Sequence, residues 1–215
     1  MALLEINRQF SESSDDSRIV EIAEELSGTL GLQQSVRRVI WSPVAWVVER
    51  PWYLRETLWL CSDLKGKLLA EEWRPLLAAT LIYSYRFRRK RWAAKLSILA
   101  AFIALTGIFY WYYIPFRSSS NIPACSYRGC GGELFLVPVG ILVGLIAITA
   151  PYFRRMKLRA DLQAVKELGI GSELTLVLEK VYKLLFHRAR KYAHLSWTPT
   201  IPQRLKNIAS NTKTH

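Results

Sequence analysis

The sequence predicts an α+β fold, mostly helical, interrupted by a two-helix transmembrane hairpin. Three observations carry this. Two runs of 21 and 20 residues, Leu96–Phe116 and Leu134–Phe153, contain no formal charge. Apolar residues recur at helical spacing on both sides of these runs. The stretch between them and the N-terminal helix is rich in β-branched and aromatic residues. The chain has 215 residues, 51% hydrophobic and 22% charged, which excludes a disordered chain, a collagen and a small disulfide scaffold.

Residues 1–17 read as a polar acidic tail, since MALLEINRQF is too short an apolar stretch for a signal peptide and SESSDD follows it. Residues 18–95 form the first half of an extramembrane domain. Within it, Ile19, Ile22, Ala23 and Leu26 predict a helix ending near Ser27-Gly28. VRRVIWSPVAWVVE, broken by Ser42-Pro43, suggests two short strands or a hairpin, and TLWLCS at 57–62 suggests another strand. A helix from about Ala70 to Tyr85 then leads into the basic cluster Arg86, Arg88, Arg89, Lys90 and Arg91.

The apolar runs follow. At about 1.5 Å rise per residue, 96–116 and 134–153 each match a hydrocarbon core of roughly 30 Å, and neither has the polar face of a soluble core helix. Phe109 to Tyr113, four of five residues bearing a polar ring edge, fit an interfacial aromatic belt. Lys and Arg resist translocation. The cluster before the first span, and Arg154, Arg155, Lys157 and Arg159 after the second, outweigh Arg117 and Arg128 in the loop 117–133. This predicts a multi-pass protein with both termini cytoplasmic. Cys125 and Cys130 in that outer loop suit a disulfide, two free thiols or, least simply, a metal site.

Residues 154–215 complete the domain. Leu158, Leu162, Val165 and Leu168 share a helix face that stops at Gly169. Ser172 is placed to cap the next helix, and a short helix follows the prolines of WTPTIPQRLKNIA. The net charge of +13 crowds beside the apolar runs, with no nucleic-acid motif, so its expected partners are membrane lipids rather than nucleic acid.

The order of these parts, with LRADLQAVKELG at 158–169 and WTPTIPQRLKNI at 197–208, resembles the membrane zinc metallopeptidases of the HtpX and CAAX-prenyl-protease type across roughly residues 20–210. The resemblance implies a cytosolic zincin-like domain around the hairpin. In that family the helix entering the hairpin carries HExxH, two zinc-binding His one turn apart with Glu as general base. Set against EEWRPLLAATLIY, the motif puts Ala79 and Thr80 at His-Glu and Tyr83 at the second His. The third ligand, a Glu, falls on Lys157, and Asp161 matches the family's retained Asp. None of the replacements offers a neutral nitrogen or a carboxylate to a metal ion. Lys157 and Asp161, four apart on a helix, are placed to pair.

His187, His194 and His215 lie too far along the chain to restore the motif, and no GxSxG, P-loop, GxGxxG or CxxC occurs. The expectation is a pseudopeptidase without catalytic residues or cofactor, acting in binding, scaffolding or regulation of a membrane protein partner. Zinc enters only if the alignment is displaced. Two alternatives stand beside it, an active membrane metallopeptidase and an unrelated two-span subunit of a membrane complex. Trp41, Trp46, Trp52 and Trp59 are candidate contact residues, and Cys61 reads as packed core.

Overall fold

The computed structural model describes residues 14–33, 35–43, 51–54, 56–119, 131–192 and 199–212. The chain divides into two compact units, one made of residues 1–87 and 154–215 and the other of residues 88–153. The fold is mostly helical, with one small sheet.

The first unit opens with helix α1 (Ser14–Thr29). Asp15 and Asp16 lie in its first turn, where the positive end of the helix dipole favours acids, so residues 14–17 of the expected tail are helical. Ile19, Ile22, Ala23 and Leu26 are all buried, as their spacing requires.

Three strands follow, β1 (Arg38–Ser42), β2 (Trp52–Leu54) and β3 (Thr57–Cys61), in the order β1-β3-β2. β1 and β3 are parallel, Val39 opposite Leu58 and Trp41 opposite Leu60, while β2 runs antiparallel to β3. A strand from the first half of VRRVIWSPVAWVVE is therefore present, but its partner is β3. The second half of that segment, with Trp46, lies outside the described residues. β3 takes the middle because Leu58, Leu60, Thr57 and Cys61 are buried on both of its faces, a pattern that an edge strand does not tolerate.

After two 3₁₀ turns, Ser62–Leu64 and Ala70–Trp73, helix α2 (Arg74–Tyr85) starts with Pro75 in its first turn. Every residue from Pro75 to Ile82 is buried. A helix apolar all round in a compact unit must be covered on every side, and α2 packs against α1, β2 and helix α5 (Gly171–Tyr192). It is the axis of this unit.

The C-terminal part of helix α4 (Gly131–Leu168), α5 and helix α6 (Ile201–Thr212) finish the unit. α4 ends where Gly169 takes φ +68° and its N–H reaches the Val165 carbonyl at 2.9 Å, a left-handed cap that an L side chain adopts only at a cost. α5 begins at Gly171, which leaves Ser172 inside the helix rather than at its N-cap. Residues 154–168 do not form a separate helix. They continue α4 without a break, because Arg154, Arg155 and Met156 are all good helix formers and the change there is only in polarity.

The second unit holds helix α3 (Arg88–Ser119) and the N-terminal part of α4, which carries Pro138 and Pro151 internally. Two segments, Arg88–Tyr112 and Leu136–Leu168, are long and apolar enough to cross a membrane. Almost none of their most apolar stretches is buried. Large hydrophobic side chains such as Leu99, Ile103, Val143 and Ile148 stand more than half exposed, the opposite of α2. The loop with Cys125 and Cys130 lies outside the described residues.

Candidate functional site

The positions singled out by the sequence sit on α2, on the C-terminal part of α4 and on α6, all within the first unit. Ala79 is fully buried in the middle of α2. Thr80 beside it is also buried, and its hydroxyl donates to the Leu76 carbonyl at 2.8 Å and the Pro51 carbonyl at 3.3 Å. A hydroxyl held by these two carbonyls ties α2 to Pro51, the residue before β2. It has no carboxylate with which to activate water.

Tyr83 follows one turn after Ala79, and the Lys157 ammonium lies over its ring, 5.7 Å from the centroid. The negative face of the ring attracts the cation, so the side chains at two of the aligned ligand positions meet each other. A methyl, a cation-covered phenol and an ammonium do not fit a zinc ion, which is bound by thiolate, imidazole or carboxylate. Among the described residues, no three of His, Cys, Asp and Glu are grouped where they could hold a metal.

One turn along α4, Asp161 has no exposed surface. Arg204 Nε donates to one of its oxygens at 2.8 Å and Arg204 Nη2 to the other at 3.0 Å. The guanidinium is only 1% exposed. This two-pronged bond, planar fork to planar carboxylate, locks α6 to α4. The sequence pointed to Lys157 as a partner of Asp161 and assigned Arg204 no role. The signal for it lay in the spacing: Ile201, Arg204 and Ile208 fall on one helical face, and both isoleucines are buried.

Polar ties surround the site. Arg86 is paired with Glu167, which also accepts from Gln163 Nε2 at 3.0 Å, so one of the basic-cluster charges is engaged within the unit. Lys180 on α5 bonds both oxygens of Glu72 at 2.6 and 2.7 Å, and Glu72 accepts the Leu69 N–H at 2.8 Å. Partial burial pushes the Glu72 carboxyl up, but the Lys180 and Leu69 hydrogen bonds and the Lys180 charge outweigh it and hold the group below its ordinary value. Of the tryptophans, Trp41 is buried, donates to Asp16 at 2.9 Å and meets Trp73 edge-on, whereas Trp52 on β2 is 42% exposed. Cys61 is buried.

No family model, curated protein or solved structure matches this chain.

The remaining basic positions separate by unit. Arg155 is exposed and Arg154 partly so at the start of the C-terminal segment of the first unit. Arg88, Arg89 and Lys90 are exposed and Arg91 half-buried at the start of the second.

Proposed function

We propose that this protein is an integral membrane pseudopeptidase. It is anchored by α3 and α4 with both termini in the cytoplasm, and its extramembrane unit binds, scaffolds or regulates a membrane protein partner instead of cleaving one. The observation that carries the reading is the Lys157 ammonium over the Tyr83 ring. At the positions where the resemblance puts two ligands of a divalent cation, this chain has a cation and a neutral ring satisfying one another. A metal entering there would meet like charge. The buried Asp161–Arg204 bond supports the same reading from the other side, since it holds α4 and α6 together with no metal needed.

The membrane part of the reading has its own support. Trp92 at one end of α3 is 56% exposed, and Trp111 and Tyr112 near the other are 79% and 73% exposed. Nineteen residues of helix span about 28 Å, so these rings stand one hydrocarbon thickness apart, where amphipathic rings gather at both interfaces.

Purification in detergent followed by elemental analysis of zinc per chain tests the proposal, with Ala79→His as a comparator. Both proteins are expected to hold well under one zinc per chain, because the substitution restores one ligand and leaves Lys157 in place. A stoichiometric zinc in the wild type, together with chelator-sensitive cleavage of an unfolded protein substrate, would overturn it.

A further inference from the structure

We infer that the first two turns of α3 form a cationic collar that recruits anionic phospholipid headgroups, a partner deduced on top of the membrane reading above. Arg88, Arg89, Lys90 and Arg91 are consecutive, and Lys95 follows one turn later. On a helix, successive side chains point about 100° apart, so four consecutive cations encircle the axis. Arg88, Arg89, Lys90 and Lys95 are exposed. A ring of charge suits a plane of anions around the helix, whereas one protein surface or one nucleic-acid strand would engage a single side.

Helix stability does not account for these residues. They occupy the positive end of the dipole, and the first turn has no acid, so the charges raise the energy of the helix rather than lower it. From residue 88 to residue 153 the sequence has a single carboxylate, Glu133, so this stretch carries a strong surplus of positive charge. Immediately beyond the collar, the uncharged run begins at Leu96, which fixes the height of the cations at the boundary of the hydrocarbon. Trp92 lies within the collar, with the Lys95 ammonium 5.7 Å from its ring centroid, and so reports on the lipids there.

The test uses the full chain reconstituted into phosphatidylcholine vesicles. A minor fraction of the lipid is brominated near the headgroup end of the acyl chains, either as phosphatidylcholine or as phosphatidylglycerol. Trp92 emission is obtained by difference against Trp92→Phe. Brominated phosphatidylglycerol is expected to quench as though about five-fold more concentrated than the same amount of brominated phosphatidylcholine, the enrichment corresponding to one Lys or Arg at an anionic surface. The ratio should shrink in high salt and approach unity in R88Q/R89Q/K90Q/R91Q/K95Q.

A wild-type ratio near unity, in protein that stays with the vesicles through an alkaline wash, overturns the collar while leaving the membrane reading intact. An unchanged ratio in the five-site variant also overturns the assignment to these residues. Protein stripped from the vesicles by the wash brings down the membrane reading and the collar with it. The wild-type comparison decides the matter even if the five-site variant does not fold.

Discussion

Replacing Arg204 by Met takes two charge-assisted bonds from the Asp161 carboxylate where no water reaches it. Both groups are at most 1% exposed, and two charge-assisted bonds of 2.8 and 3.0 Å join them. Removing one partner of such a pair costs about 3–5 kcal/mol, chiefly the desolvation of the charge left behind. For a unit of this size each kcal/mol lowers the melting temperature by about 2–4 °C, so Arg204→Met should melt roughly 6–20 °C below wild type. Asp161→Leu should fall by a comparable amount, whereas the double variant leaves no orphaned charge and should be more stable than either single one. Unfolding is followed in detergent through Trp emission, since Trp73 and Trp41 are buried in the same unit and shift to the red as it opens. A loss below about 1 kcal/mol in Arg204→Met, or a double-variant loss equal to the sum of the singles, would show that the two groups are not coupled as described.

Further perturbations probe other parts of the fold. Gly28 and Gly169 both have open space where a Cβ would go, yet only Gly169 has positive φ. Gly28→Ala should therefore stabilise by about 0.5–1 kcal/mol and Gly169→Ala destabilise by about 1–2 kcal/mol, and denaturant titrations giving both the same sign would contradict this. Glu72 is held below its ordinary value of 4.5, so its contribution is complete above that pH and disappears as the pH falls through the lowered folded value. Glu72→Gln should accordingly flatten the acid limb of the stability profile, and a limb identical to wild type would remove Glu72 from the account. Tyr83→Phe should leave stability within about 0.5 kcal/mol because the ring face persists, while Tyr83→Ala should lose at least about 1 kcal/mol, the two variants being compared by thermal melts.

The parts of the fold legible in the sequence are those fixed by local pattern. The absence of any polar face over Leu96–Phe116 and Leu134–Phe153 anticipated two helices fit to cross a membrane, and the 3–4 spacing of Ile19, Ile22, Ala23 and Leu26 anticipated α1. β2 escaped notice because Trp52–Leu54 is too short for an alternating pattern to register. The start of α4 relative to its polar continuation was also hidden. A change in polarity at Arg154 marks a change of surroundings, and the helix runs through Pro151 to end only at the positive-φ cap of Gly169. Within the candidate site, Ala79, Thr80, Tyr83 and Lys157 could be picked out one by one, and the meeting of Lys157 with Tyr83 could not. Such encounters depend on tertiary packing. Arg204 and Asp161, 43 residues apart, illustrate the same point.

The first unit is discontinuous, and this sets a timetable for its synthesis. α2, apolar on every side, is complete at Tyr85, but the α5 residue that bonds Glu72 comes 108 positions after it, and Arg204 comes later still. Elongation at about 5–20 residues per second puts on the order of 6–25 s between the emergence of Phe87 and that of Arg204. Most of that interval goes to making the two long apolar helices, and until α5 follows them α2 lacks its covering helix. A nascent chain arrested before α5 displays an apolar rod to any chaperone that meets it. One arrested after α6 does not, so the folding of the first unit waits on the passage of the second through the ribosome.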